Sequence, residues 1–154
     1  MIIYVAVQIN PIHNNDYWIH FLAKKNFINQ EGGMGLKILV ADDSATVRHL
    51  ILKFLEGEDY EIVTTSDSAN VVDLIDEINP DLVISDIMMP GMDGYTFVRH
   101  IRKEKTRKSL PVIIMSTKNR ETMEDLFVSY GISGYLQKPF EKEQLVALIK
   151  KALE

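Results

Sequence analysis

The chain has 154 residues, 46% hydrophobic and 25% charged, the balance of one ordinary folded domain large enough to bury its own core. It contains no cysteine, which excludes disulfides, cysteine nucleophiles and thiolate metal sites and fits a reducing compartment such as the cytoplasm. The 17 basic and 22 acidic residues leave a formal charge of −5 with no clustered Lys/Arg stripe, so direct nucleic-acid binding is not expected.

The opening stretch MIIYVAVQI is apolar but too short to span a bilayer, and it lacks the basic start and small-residue cleavage site of a signal peptide. No membrane segment is expected. Residues 1–33 hold the only tryptophan, Trp18, and three Asn between positions 10 and 15, without a repeating apolar pattern, and read as an N-terminal extension. Glu31-Gly32-Gly33 ahead of Met34 would be encoded by purine-rich codons, as bacterial ribosome-binding sites are, which makes Met34 a candidate natural start and the upstream start mis-assigned. The competing expectation is a genuine arm with a short amphipathic helix over YWIHFLAKKNFI, residues 17–28. Charges within the extension cancel, so the acidity belongs to the domain expected over residues 34–154.

From Leu36 onward, short β-branched apolar runs alternate with amphipathic stretches, the pattern of βαβ units around a parallel sheet covered on both faces. The first strand is expected at LKILVA (36–41), followed by a helix with Ser44 as its cap and Val47, Leu50, Ile51, Phe54 and Leu55 as its buried stripe. The second strand, YEIVTT (60–65), leads to a helix carrying Val71, Val72, Ile75 and Ile78, stopped by Asn79-Pro80. Third and fourth strands are expected at DLVIS (81–85) and PVIIMS (111–116). Met123, Leu126, Phe127 and Tyr130 make the stripe of a fourth helix, GYLQ (134–137) a weaker fifth strand, and Leu145, Leu148, Ile149 and Ala152 the last helix.

Ligands of open parallel sheets bind beyond the carboxyl ends of the strands, where strand order reverses. Reading those ends in order gives Asp42-Asp43, Asp86, Ser116-Thr117 and Lys138-Pro139. Each alone has an ordinary explanation: an acidic pair complementing a helix dipole, a turn aspartate, a loop Lys-Pro. Met88, Met89 and Met92 would by default be packing or flexible surface, and His49 and His100 surface histidines on helices. Together, however, three carboxylates converging on one crevice repel unless a cation sits among them. Mg²⁺ fits an all-oxygen, open site; zinc does not, without Cys or a His cluster. Such a set suits metal-assisted phosphoryl transfer onto a carboxylate, which needs no separate base because the ionised group is already a nucleophile.

VADDSATVRHLI (40–51), PDLVISDIMMPGMDG (80–94), LPVIIMSTK (110–118) and GISGYLQKPF (131–140) together resemble the response-regulator receiver family in its single-domain, CheY-like form, over roughly Leu36 to Glu154. The resemblance implies a flavodoxin-like doubly wound fold: a five-stranded parallel sheet of order 2-1-3-4-5 with five helices. It implies that Asp86 is the phosphoacceptor, fed by a phosphohistidine on a sensor histidine kinase or histidine phosphotransfer protein. Mg²⁺ would be held by Asp43 and Asp86 directly, by Asp42 through water, and by the backbone carbonyl of Met88. Ser116 fills the hydroxyl position and Lys138 the lysine position at the phosphoryl group, with the backbones of Thr117 and Met88 also in contact. Pro139 would follow a cis peptide bond, and Tyr135 occupies the aromatic switch position coupled to Ser116. Phosphorylation would then change the surface of the fourth helix, fifth strand and fifth helix, and with it the affinity for a separate downstream output protein. Such a chain is a phosphoacceptor regulator that catalyses only its own phosphorylation and dephosphorylation.

A chemotaxis-type regulator is favoured over a phosphorelay intermediate by the DDSATVR segment. The rival of another class, a Mg²⁺-dependent phosphatase, would carry a second acid two residues after its nucleophile, where Asp86-Ile87-Met88 has none. A flavodoxin-type cofactor binder would need a Ser/Thr/Gly phosphate loop where ADDSATVR places two negative charges. Met88 and Lys118 are expected to line the approach of hydrolytic water; neither orients it as a carboxylate or amide would, so a long-lived aspartyl phosphate is expected.

Overall fold

The computed structural model describes residues 7–9, 35–69, 71–91, 94–104, 107–119, 121 and 128–154. Among them, β1 (Val7–Ile9), β2 (Leu36–Ala41), β3 (Tyr60–Thr65), β4 (Leu82–Asp86), β5 (Val112–Ser116) and β6 (Gly134–Gln137) form one parallel sheet in the order β1-β3-β2-β4-β5-β6. Counted from β2, this is the doubly wound 2-1-3-4-5 order. Helices α1 (Ala45–Phe54), α2 (Val71–Ile78) and α3 (Gly94–Lys103) follow β2, β3 and β4, and α4 (Lys142–Leu153) follows β6. Of the helix expected between β5 and β6, Val128–Tyr130 are helical, while Met123, Leu126 and Phe127 lie outside the described residues. No helix of the described residues is long and apolar enough to cross a membrane.

The apolar runs are continuous because each strand feeds two cores. Ile38, Val40, Ile62, Ile84, Ile113, Met115 and Leu136 face α1 and α4, packing with Ile51, Leu55, Leu145 and Ile149. Their neighbours Leu39, Ala41, Val63, Val83, Val112 and Ile114 face α2 and α3, packing with Val71, Ile75, Ile78, Phe97, Val98 and Ile101. Period-two alternation thus divides one apolar sequence between two faces. α4 approaches the sheet so closely at Gly134 that a Cβ there would lie 3.2 Å from Leu148 and 3.3 Å from Ile113.

The helix boundaries have local causes. The Ser44 hydroxyl accepts from Val47 N at 3.4 Å and starts α1. α2 stops at Asn79, whose φ of 46° turns the chain into the left-handed region that Asn tolerates, just before Pro80. At α4, the Gln144 side chain accepts from Glu141 N at 2.9 Å, half of a capping box. β4 and β5 begin at Leu82 and Val112, one residue later than the sequence pattern suggests.

The strand beyond the five expected is β1, where Val7, Gln8 and Ile9 pair with Val63, Thr64 and Thr65. It covers an edge of β3 that would otherwise present unpaired backbone groups. Three residues carry too little periodicity to be recognised as a strand. Residues 17–28 and Met34 lie outside the described residues.

At the amino ends of the strands, the Arg102 guanidinium donates to the carbonyls of Tyr130 (2.9 Å), Gly131 (3.1 Å), Arg107 (3.1 Å) and Leu110 (2.9 Å). Arg107 in turn forms a two-pronged ion pair with Asp76 of α2.

Candidate functional site

The opposite edge of the sheet gathers the residues with chemistry. Asp42 follows β2, its N–H donating to Thr65 O at 3.1 Å, and is fully buried; Asp43, the next residue, is exposed. Asp86 is the last residue of β4 and Ser116 the last of β5. Lys138 follows β6, and its N–H donates to Ser116 O at 2.7 Å. Parallel strands ending in register therefore bring together side chains up to 96 positions apart.

One oxygen from each of Asp42, Asp43 and Asp86 lies within 4.8 Å of the others. Lys138 Nζ donates to Asp42 Oδ2 at 2.6 Å and also to Asp86 Oδ2. The other oxygens are held by main chain: Ser44 N donates to Asp42 Oδ1 at 2.9 Å, and Met88 N to Asp86 Oδ1 at 2.7 Å. The Lys138–Pro139 peptide bond is cis.

Burial pushes the Asp42 carboxyl above its ordinary range, outweighing the hydrogen bond and charge of Lys138. Burial also acts most strongly on Lys138, favouring the neutral amine, but the hydrogen bonds and charges of Asp42 and Asp86 together hold its pKa above the ordinary lysine value. Both groups keep their protons more tightly than they would in water, Asp42 because it is buried and Lys138 because two carboxylates face it. Three carboxylates and one ammonium leave two formal negative charges, the complement of one divalent cation. The oxygen-only donor set at an open strand edge fits a hard cation such as Mg²⁺.

Ser116 is buried, and its Oγ accepts from Lys118 N at 3.1 Å; Thr117 and Lys118 form an exposed turn. Tyr135 on β6 is half-buried, and its hydroxyl donates to Lys118 O. Burial raises the phenol pKa, opposed by its hydrogen bond with the Ser116 side chain. Ser116, Lys118 and Tyr135 are thus one hydrogen-bonded group beside Asp86. Met88 is 60% exposed next to the acidic cluster, whereas Met89 is buried; Met92 lies outside the described residues. His49 and His100 are exposed and away from the cluster, as expected for surface histidines.

Two residues that the sequence did not single out support the site. Arg48 in α1 is only 4% exposed and donates to the carbonyls of Asp42 and Asp43. Its spacing, three before buried Ile51, is the available sign: a cation on the apolar side of a helix needs a partner. Buried Ser68, between β3 and α2, donates to Pro90 O at 2.5 Å and ties down the loop after Asp86. No local pattern marks that contact, because it joins residues 22 positions apart.

Residues 38–150 match the family described as the response regulator receiver domain. The phosphate regulon transcriptional regulatory protein PhoB of Escherichia coli is 31% identical over 120 residues, covering 78% of this chain and 52% of PhoB. The chain therefore spans about half the length of the curated relatives it matches. The structure of the chemotaxis response regulator CheY4 of Vibrio cholerae matches with a TM-score of 0.72 at 28% identity, over 78% of this chain and 100% of that one. A putative response regulator from Chloroflexus aurantiacus matches with a TM-score of 0.72 at 29% identity, over 78% and 98% of the two chains. With its doubly wound sheet and an acidic cluster at the switch in strand order, the chain belongs to the response regulator receiver domain family of two-component systems.

Proposed function

We propose that residues 34–154 form a phosphorylation-dependent switch in which Asp86 accepts a phosphoryl group from a phosphohistidine of a sensor kinase or phosphotransfer protein. The observation that carries this is the convergence of Asp42 and Asp43 on Asp86, with Lys138 bridging Asp42 and Asp86. An Asp86 carboxylate oxygen forms the new P–O bond as the P–N bond breaks, and the departing imidazole keeps the electron pair and takes a proton from solvent. Asp43, Asp86 and the Met88 carbonyl would hold Mg²⁺ directly, with Asp42 behind an intervening water. Bound there, Mg²⁺ supplies positive charge to the phosphoryl oxygens as they gain negative charge.

The protein's own share is positioning and electrostatics. Lys138 pairs with the incoming phosphoryl group, and the Ser116 hydroxyl and the main chain at Met88 and Thr117 supply hydrogen-bonding groups. Once Asp86 carries a phosphoryl group of about −1.5 to −2 charge in place of its own carboxylate charge, Ser116 moves toward the phosphoryl group and Tyr135 takes up the vacated space. The face around β6 and α4, with the helix before β6, then changes its affinity for an output protein. The hydrogen-bonded group of Ser116, Lys118 and Tyr135 supports this coupling.

The output is read as a separate protein in the cytoplasm, as for a chemotaxis-type regulator. The DDSATVR segment leans toward this choice, and the similarity to the chemotaxis response regulator CheY4 is in keeping with it. A phosphorelay intermediate is the second option and would return the group to another histidine. The decisive experiment is incubation with a small phosphodonor and Mg²⁺, comparing the wild type with Asp86→Asn by intact mass. Wild type should gain one phosphoryl mass and Asp86→Asn none; equal labelling of the two removes Asp86 as the acceptor.

A further inference from the structure

Arg48 is a cation buried beside an anionic site, and its bonds to main chain show what it holds. From the first turn of α1 its guanidinium reaches back and donates from Nη1 to Asp42 O at 2.6 Å and to Asp43 O at 3.2 Å. These carbonyls lie where β2 has ended and α1 has not begun, with Asp42 N making its bond to Thr65 O. The buried Asp42 carbonyl needs a donor, and a buried guanidinium needs acceptors. The bonded atoms are main-chain oxygens, so the Asp42 carboxylate remains engaged by Ser44 N on Oδ1 and by Lys138 on Oδ2.

We infer that Arg48 is a positioning residue for the divalent cation, fixing the Asp42-Asp43 turn so that both carboxylates converge with Asp86; this rests on the metal-dependent acceptor site proposed above. The two bonds from Nη1 set the turn's conformation; the positive charge itself opposes a cation, so any loss of Mg²⁺ affinity on removing Arg48 reports the positioning alone. Arg48 therefore acts on the affinity for Mg²⁺ rather than on phosphoryl transfer itself. Lysine cannot fully replace it, because an ammonium is more strongly hydrated than a guanidinium and is buried at greater cost.

The test titrates Mg²⁺ alone into the full chain by calorimetry, for wild type, Arg48→Lys and Arg48→Gln, with thermal melting in EDTA confirming the fold of each. Loss of a residue that orients metal ligands typically weakens binding roughly 10–100-fold, and that is the change expected for Arg48→Gln, with Arg48→Lys between it and the wild type. Labelling by a small phosphodonor at saturating Mg²⁺ should stay within about threefold of wild type, the signature of an effect on binding rather than chemistry. Wild-type Mg²⁺ affinity in folded Arg48→Gln, or labelling that stays depressed at saturating Mg²⁺, overturns the inference. If Arg48→Gln does not fold, Arg48→Lys decides: weakened affinity supports the role and unchanged affinity removes it. Failure of the wild type to label would instead count against Asp86 as the acceptor, leaving the calorimetric comparison intact.

Discussion

Lys138 donates to the fully buried carboxylate of Asp42 at 2.6 Å, yet burial still leaves that carboxyl with a raised pKa. One lysine shared with Asp86 does not neutralise the crevice, and the metal-free protein carries an electrostatic cost.

That cost has a definite pH dependence. A carboxyl whose folded pKa is raised above the unfolded value, here from 3.8, contributes stability that is present below the unfolded pKa and lost as pH rises through the folded one. The raised pKa of Lys138 contributes stability that persists through neutral pH and is lost only in the alkaline range. In EDTA, the melting temperature of wild type relative to Asp42→Asn should therefore fall between acid and neutral pH. At neutral pH the variant should melt higher, by about 2–4 °C for each kcal/mol relieved in a chain of this size. Mg²⁺ at a hundred times its dissociation constant should add about 2.7 kcal/mol to wild type and much less to Asp42→Asn. Thermal melts across pH, with and without Mg²⁺, check both; a flat difference between the two proteins refutes the assignment of cost to Asp42.

Ser116→Ala separates chemistry from signalling. The acceptor and its acidic neighbours remain, so labelling should persist, but Tyr135 loses its hydrogen bond with the Ser116 side chain. NMR spectra before and after phosphorylation should show large shifts along Gly134–Gln137 in wild type and small ones in the variant. Equal shifts would mean that Tyr135 responds by another route.

The lifetime of the phosphorylated state is set by what borders the acceptor. Met88, 60% exposed, and exposed Lys118 provide no carboxylate or amide to orient an attacking water. Autodephosphorylation in Mg²⁺ should take minutes or more, and Met88→Asn should shorten it roughly tenfold, less than the roughly hundredfold or more of a full general base because an amide only orients the water. Phosphate loss within seconds from wild type, followed by intact mass, contradicts this.

Removing residues 1–33 tests how much β1 matters. Its three residues pair with β3 at the edge of the sheet, far from Asp86 in strand order, so labelling of the 34–154 fragment should match the full chain. Stability should change by no more than about 1–2 kcal/mol, the scale of losing a few exposed backbone hydrogen bonds. A fragment that folds but cannot be labelled would place the extension within the switch.

Much of this was legible in the sequence, for identifiable reasons. LKILVA, YEIVTT and GYLQ coincide with β2, β3 and β6 because apolar runs flanked by helical stripes leave little freedom of register. Asp42, Asp43, Asp86, Ser116 and Lys138 could be grouped because strand ends in a parallel sheet share an edge. Arg48 and Ser68 escaped because their partners are main-chain carbonyls, which have no residue identity to read. β1 escaped because its placement depends on the unpaired edge of β3 and not on its own pattern.

The four carbonyls gripped by Arg102 lie at the opposite end of the sheet from Asp86. Gly131 and Tyr130 precede β6, while Arg107 and Leu110 precede β5, so a single guanidinium clamps the starts of both strands that carry Ser116 and Tyr135. In the switch proposed above the pair would act as a lever with one end bolted: displacement begun by charge at Asp86 would have its freedom at the Ser116 end, away from the carbonyls that Arg102 holds. Loosening the bolt with Arg102→Gln should blur the two positions of the lever, leaving phosphorylation intact while weakening the contrast between its resting and activated faces.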